Sequence, residues 1–178
     1  VKALGLTTSL DMAKPDPESE AGRADWPAVL QRVLPHVDVF LPSLDEILFM
    51  LDREHFEWMQ QTGSLPNAAL LRTLSERLLR LGAAIVVLKL GDQGLYLRTT
   101  GDSARLAALG ACAPEDPRPW QNRELLAPCF KANIAGTTGA GDCTIAGFLA
   151  GLLRGLPPEG VMTAGVAVGA CSVERADA

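Results

Sequence analysis

The chain has 178 residues, of which 48% are hydrophobic, and it carries a formal net charge of −5. These values fit one globular domain with a hydrophobic core, and an acidic chain without a basic stripe argues against a nucleic acid partner. No apolar stretch is long enough for a membrane span, no signal-peptide pattern opens the chain, and four scattered cysteines predict reduced thiols, so we expect a cytoplasmic protein.

The first 41 residues predict a strand, a helix and a second strand. Residues 1–6 are expected to form the first strand, which leads into a proline-rich loop. Asp25 is placed to cap a short helix that runs to Val33. Residues 38–41 are an apolar run bounded by Pro42, which is typical of a buried parallel strand.

A helix through about Leu51 is predicted next, and it begins with Ser43 and Glu46 three residues apart. This spacing is that of a capping box, in which each side chain accepts a hydrogen bond from the other residue's backbone N–H. The same two residues could also serve a functional site at the end of the preceding strand. The spacing alone leaves both interpretations open.

Residues 67–81 place leucines at helical spacing, and Gly82 is positioned to end that helix. Residues 84–88 then read as another buried strand. A helix between two such strands fits a right-handed βαβ crossover, which builds a sheet covered by helices.

This strand ends in a lysine and a glycine turn. Lys89 is an unusual residue at the end of a buried strand; its cation suits a phosphate, although it could also extend to the solvent. Gly91, Asp92 and Gly94 either form a simple tight hairpin turn or border a ligand. Residues 99–135 have little regular pattern, and we expect short antiparallel strands and a variable loop there.

Two helices rich in small residues are predicted at 140–154 and 159–174. A glycine-rich turn at 136–141 leads into the first of them, and Asp142 lies at the junction. Such a turn can direct several backbone N–H groups and the positive end of the helix dipole at an anion. An anion hole beside a base is suited to phosphoryl transfer to an alcohol. Alternatively, the glycines only relieve strain and Asp142 only caps the helix.

Three segments carry a family resemblance. Residues 137–142, Thr-Thr-Gly-Ala-Gly-Asp, resemble the C-terminal signature of the PfkB-type (ribokinase-like) carbohydrate kinases. Residues 86–98 are similar to that family's strand, glycine turn and return strand, and residues 37–47 are similar to its buried strand followed by an Asn-x-x-Glu helix start. All three occur in the family's order, so the resemblance covers nearly the whole chain.

The resemblance implies an α/β fold, a three-layer α/β/α Rossmann-like sheet. It identifies residues 1–178 as the C-terminal, nucleotide-binding and catalytic portion of a single PfkB-type kinase domain. We therefore expect the N-terminal part, with the sugar-contacting residues and the lid, to be missing from this sequence. The resemblance also allows a homodimer formed through that lid.

The activity implied is ATP-dependent phosphorylation of an alcohol group on a sugar or sugar-like small molecule, without a nucleic acid or a membrane as partner. Asp142 would be the general base, and the N–H groups of Gly139, Ala140 and Gly141 would form the anion hole. The implied alternatives are a vitamin or nucleoside kinase of the same superfamily, or a non-catalytic relative that senses nucleotides or sugars.

The resemblance also implies a set of cofactor contacts. Mg²⁺ would bridge the phosphates of ATP, and Glu46 would hold the metal through a water molecule. The nucleotide would be bound by eight residues: Ser43, Lys89, Gly91, Asp92, Gly94, Thr138, Gly141 and Val166. We expect Gly141 to need backbone dihedral angles that only glycine adopts easily.

Two positions depart from the family's pattern. Gly136 stands where an acidic residue usually precedes the Thr-Thr pair, and in relatives activated by potassium that carboxylate helps to hold the ion. We therefore expect no potassium activation. Ser43 replaces the asparagine of Asn-x-x-Glu, so its contact near the phosphates should be weaker or mediated by water.

Overall fold

The structure, a computed structural model, describes residues 2–175. Its framework is a five-stranded sheet in the order β1-β2-β3-β4-β5. The strands are β1 (Ser9–Leu10), β2 (Val39–Phe40), β3 (Ile85–Lys89), β4 (Leu95–Thr99) and β5 (Glu124–Ala127). The helices are α1 (Trp26–Val33), α2 (Leu44–Leu51), α3 (Arg53–Thr62), α4 (Ala68–Arg80), α5 (Ser103–Ala107), α6 (Ala140–Leu153) and α7 (Pro158–Val173).

The sheet separates two hydrophobic clusters. Along β3, Val86 and Leu88 pack in one cluster with residues of α1, α2 and α4. Ile85 and Val87 pack in the other cluster with residues of α6 and α7. Because successive side chains of a strand point to opposite faces, the sheet has helices on both faces. The predicted three-layer α/β/α arrangement is therefore present.

The first three strands are parallel, and the last two are antiparallel. Ser9 pairs with Val39, and Val39 pairs with Ile85, so β1, β2 and β3 run in the same direction. Their carboxyl ends consequently meet at one edge of the sheet. β4 and β5 return antiparallel to their neighbours, as the sequence predicts for the segment that follows the glycine turn.

The position of β1 corrects a sequence prediction. The strand expected at residues 1–6 begins at Val1, which lies outside the described residues, and Lys2–Leu4 form a 3₁₀ turn. The actual strand is more polar. The fully buried carboxylate of Asp38 accepts the Thr8 N–H at 2.8 Å, and this bond aligns the segment with β2. Three of the apolar residues expected in the strand, Ala3, Leu4 and Leu6, are exposed instead; Leu4, for example, is 76% exposed.

The helices predicted from the sequence are confirmed. Asp25 caps α1 by accepting the Ala28 N–H at 3.1 Å, and Asn67 caps α4 by accepting the Leu70 N–H at 2.9 Å. The sequence analysis did not predict α5, which lies in the segment expected to hold strands and a loop, and it did not predict α3. This helix buries no residue completely, and its Trp58 is about half exposed, so it lacks the wide apolar stripe by which a buried helix is recognised.

The last two helices, α6 and α7, pack with their backbones in close contact. A Cβ atom added to Gly147 would lie 2.6 Å from the carbonyl oxygen of Ala164, and one added to Gly169 would lie 2.2 Å from the Thr144 hydroxyl oxygen. The small residues of both helices are therefore required by the packing. This contact fixes where α6 begins relative to the sheet.

We predict that Gly147→Ala destabilises the protein by about 1–3 kcal/mol, because the new methyl group overlaps the backbone of α7 and the two helices must separate. Gly160→Ala is the matched control, since its Cβ would come no closer than 3.4 Å to the atoms around it. It should be neutral or stabilise α7 by up to about 1 kcal/mol. Denaturant unfolding measures both; equal effects of the two substitutions would contradict this packing.

Candidate active site

A cavity of about 680 Å³ lies at the edge of the sheet where β2 and β3 end. Its walls come from the ends of these strands, the turn between β3 and β4, the loop after β5, the N-terminus of α6 and one face of α7. The residues that line the cavity include Ser43, Glu46, Lys89, Gly91, Asp92, Gly94, Cys129, Phe130, Lys131, Ile134, Thr137, Ala140, Gly141, Thr144 and Val166.

The first turn of α6 opens onto this cavity. Gly139 caps the helix with a left-handed backbone (φ 77°), a conformation that favours glycine. The Ala140 N–H donates to the carbonyl oxygen of Thr137 at 3.2 Å. The N–H groups of the first helical turn have no intrahelical partner, and that of Gly141 belongs to this set. This N-terminus can therefore receive an anion.

The structure reverses the expectation for Gly141. Its backbone is not in the left-handed region, and a Cβ added there would meet only the side chain of Lys89, with Nζ at 3.7 Å. The residue that needs glycine for conformational reasons is Gly139, two positions earlier. Gly141 instead keeps the space between Lys89 and the helix N-terminus open.

The side chain of Lys89 does not extend into the solvent. Its Nζ lies 2.7 and 2.8 Å from the two carboxylate oxygens of Asp11, and the side chain is 14% exposed. Asp11 directly follows β1, so both charges lie at the carboxyl edge of the sheet. The sequence analysis missed Asp11 because it placed the first strand at residues 1–6. With the strand located correctly, the rule that ligand sites lie beyond the carboxyl ends of parallel strands would have indicated it.

Ser43 and Glu46 form the predicted capping box and also line the cavity. Glu46 Oε2 accepts the Ser43 N–H at 2.7 Å, and the Ser43 hydroxyl accepts the Glu46 N–H at 3.3 Å. Both interpretations of this pair are thus compatible. Burial raises the pKa of the Glu46 carboxyl above its ordinary value, while the Ser43 N–H and the charge of Lys89 act in the opposite direction.

The turn between β3 and β4 is likewise both a hairpin turn and a wall of the cavity. Gly91 and Gly94 have left-handed backbones, with φ of 60° and 99°. A Cβ added to Gly94 would lie 2.0 Å from the carbonyl oxygen of Ala127. The Cys129 thiol donates to the carbonyl oxygen of Gly91 at 3.4 Å and links the turn to the loop after β5. Burial, followed by the nearby Asp92 carboxylate, raises the pKa of this thiol.

Three of the predicted site residues do not line the cavity: Thr138, Gly139 and Asp142. Thr138 and Asp142 are exposed. Asp142 lies in the first turn of α6 next to Gly141, so it borders the cavity without entering it. Sequence reasoning in turn missed Lys131, Cys129 and the apolar side chains of Phe130 and Ile134, because the loop after β5 has no regular pattern.

Two kinds of feature are absent from residues 2–175. None of the helices in this range has both the length and the apolar composition needed to cross a membrane. No three His, Cys, Asp or Glu side chains in the same range gather into a group that could bind a metal.

A model of the pfkB family carbohydrate kinases matches residues 16–178. The chain therefore belongs to this family, and the resemblance drawn from the three segments is confirmed. An uncharacterized sugar kinase from Archaeoglobus fulgidus is 27% identical over 159 residues, which are 89% of this chain and 47% of that protein.

Solved structures of similar fold include two ribokinases. The Arabidopsis thaliana ribokinase, complexed with ribose and ATP, has a TM-score of 0.67 at 20% identity. The match covers 99% of this chain and 44% of that protein's chain. The Thermotoga maritima ribokinase has a TM-score of 0.59 at 23% identity, and the match covers 95% of this chain and 43% of that protein's chain. A putative ribokinase II from E. coli in complex with ATP and Mg²⁺ has a TM-score of 0.62 at 21% identity. The match covers 98% of this chain and 44% of that protein's chain. The fold is thus ribokinase-like, and the chain spans less than half the length of these relatives.

We predict different stability effects for two neighbouring glycines. Gly139→Ala should destabilise the protein by about 1–2 kcal/mol, because alanine is strained in the left-handed region. Gly141→Ala should leave stability unchanged or raise it slightly, because the helix gains a better former and the space is free. Thermal unfolding of both variants tests this; a larger loss for Gly141→Ala would contradict the assignment.

Proposed function

We propose that the chain is the nucleotide-binding and catalytic portion of a carbohydrate kinase, which transfers a phosphoryl group from ATP to an alcohol group of a sugar or sugar-like small molecule. One observation carries the proposal: the ammonium group of Lys89 faces the open N-terminus of α6 across the space left by Gly141. A cation and free N–H groups directed at the same space are suited to hold a phosphoryl group.

The cavity suits ATP along its whole length. Phosphates would lie between Lys89, the turn at Gly91 and Gly94, and the first turn of α6. The apolar side chains of Phe130, Ile134 and Val166 would surround the adenine, since aromatic and aliphatic walls are usual for such rings. The carboxylate of Asp92 can accept hydrogen bonds from hydroxyl groups but not from phosphates, and this suits the ribose.

The acceptor alcohol would approach from the exposed side of α6, where Asp142 lies. Its O–H bond breaks as the proton passes to the Asp142 carboxylate, while its oxygen forms the new bond to the γ-phosphorus. The bond from that phosphorus to the bridging oxygen breaks, and ADP leaves. In the anion hole, the Gly139 and Gly141 N–H groups would bind directly, whereas that of Ala140 must be shared with Thr137.

The residues present also fit a magnesium ion bound with the nucleotide. Glu46 Oε2 is engaged by the Ser43 N–H, which leaves Oε1 to accept a hydrogen bond from a metal-bound water. Mg²⁺ usually keeps several water ligands, and such a water can donate a hydrogen bond to this carboxylate oxygen. Mg²⁺ would neutralise the phosphate charge during transfer, and Glu46 would orient its water. Thr138 would contact the nucleotide only at the outer rim, because it is exposed.

We place the reaction in the cytoplasm, since all four cysteines are free thiols and reduced thiols are typical of that compartment. The domain assignment and a homodimer through the lid remain predictions. The test of the function is phosphorylation of a sugar panel by the full-length protein with ATP and Mg²⁺. Transfer to at least one sugar supports the proposal; nucleotide binding without transfer to any sugar, vitamin or nucleoside would favour a sensing role.

We predict that Asp142→Asn lowers kcat by roughly 10²–10⁴-fold, because the base is lost, while the affinity for ATP changes little. Asp45→Asn is the matched control, since Asp45 is also an exposed aspartate in a first helical turn. It should retain normal turnover. If both variants lost only stability and kept kcat, Asp142 would be a helix residue without a catalytic role.

We also predict that sodium, potassium and a bulky organic cation support nearly equal activity at fixed MgATP and ionic strength. Gly136 offers no carboxylate to a monovalent ion, and loss of a charged oxygen ligand weakens the binding of a hard cation. Mg²⁺ should remain essential. Activation by potassium of several-fold would contradict this prediction and show that backbone oxygens suffice.

A further inference from the structure

Two carboxylates share the carboxyl edge of the sheet with the Lys89 ammonium. One is that of Asp11, whose oxygens lie 2.7 and 2.8 Å from Nζ. The other is that of Glu46, on which the charges of both Lys89 and Asp11 act. The ammonium is paired with Asp11, while Glu46 lines the same cavity as Lys89 and forms no ion pair with it.

The pairing with Asp11 is built on fixed elements. Lys89 is held at the end of β3 by its N–H bond to the carbonyl oxygen of Pro42 at 3.0 Å, and β1 is held beside β2 by the bond from the Leu41 N–H to the carbonyl oxygen of Leu10 at 2.9 Å. Asp11 follows Leu10 directly. Its carboxylate is thus fixed relative to the lysine by two steps of strand pairing.

Without Asp11, a mostly buried ammonium would have to find another partner. An unpaired charge in such a place is costly, and Glu46 is the other carboxylate that lines the cavity beside Lys89 and Asp92. A Lys89–Glu46 pair would draw the lysine away from the N-terminus of α6. It would also compete with the Ser43 N–H and with any metal-bound water for the Glu46 oxygens.

We propose that Asp11 is a positioning residue, which holds the Lys89 ammonium at the N-terminus of α6 and apart from Glu46. An ammonium has three N–H donors, so a lysine bound to Asp11 keeps donor capacity for a phosphate oxygen. Its long side chain is also already ordered before the nucleotide arrives, which lowers the entropy lost on binding. The inference rests on the proposed function, because it assigns Lys89 to a nucleotide phosphate.

Simple charge repulsion would give Asp11 the opposite effect on nucleotide binding. Its negative charge repels phosphate, and it occupies donors of Lys89. If that repulsion dominated, removal of the carboxylate would strengthen nucleotide binding. The sign of the change in KM for MgATP therefore decides between positioning and competition.

The experiment compares Asp11→Asn, Asp11→Glu, Lys89→Met and the double variant Asp11→Asn/Lys89→Met in the full-length protein. We expect Asp11→Asn to raise KM for MgATP about tenfold, the range for loss of a charged hydrogen bond, with a smaller change in kcat. Asp11→Glu should recover part of the loss. In the Lys89→Met background, Asp11→Asn should change KM less than about twofold, because the residue acts through the lysine.

Asp116→Asn is the matched control, since it removes the same charge from the Asp116–Arg118 pair, which does not line the cavity. Its KM should be unchanged. An unchanged or lower KM for Asp11→Asn would overturn the inference while the proposed function stands; lack of any phosphoryl transfer by the unaltered protein would instead overturn the proposed function. If Asp11→Asn does not fold, the double variant provides the test, because it lacks both charges of the pair. Its KM should lie within about twofold of that of Lys89→Met, and a larger difference would overturn the inference.

Discussion

The parallel pairing of β1, β2 and β3 is the constraint on which the candidate site depends. Parallel strands deliver the residues that follow them to the same edge of the sheet, and Asp11, Ser43 with Glu46, and Lys89 come from three different parts of the chain. These three parts are separated by more than 30 residues along the chain. The backbone bonds from Leu41 to Leu10 and from Lys89 to Pro42 fix their separations, so the charges at this edge are arranged by the sheet before any ligand is present.

The second constraint is the contact of α6 with α7. Because Gly147 and Gly169 allow the helix backbones to approach, the N-terminus of α6 is held over the strand ends by packing rather than by side-chain hydrogen bonds; its cap, Gly139, makes none. The glycines of this region thus have separate roles. Gly139 permits the turn, Gly141 leaves the space between Lys89 and the helix N-terminus open, and the glycines further along the helix set its position.

The sequence was sufficient for the fold class, for most helices and for the three family segments, because each of these has a local signal: a cap, a periodic apolar stripe or a glycine turn. It was insufficient at β1, where a buried carboxylate from Asp38, 30 residues away from Thr8, aligns a polar segment that has no strand pattern. That error also concealed Asp11. Local pattern likewise could not distinguish the conformational role of Gly139 from the steric role of Gly141, since this depends on contacts made after folding.

The positions of the predicted site residues divide the proposed reaction into two sides. Most of the groups proposed to bind the nucleotide line one cavity, whereas Asp142, the proposed base, is exposed outside it. A base that accepts the proton of an alcohol must be shielded from water for efficient transfer, and within residues 2–175 nothing covers Asp142. On the proposed function the acceptor side would need further cover, and the chain spans less than half the length of its solved relatives. In the proposed reaction, the N-terminus of α6 is where the nucleotide side and the acceptor side would meet.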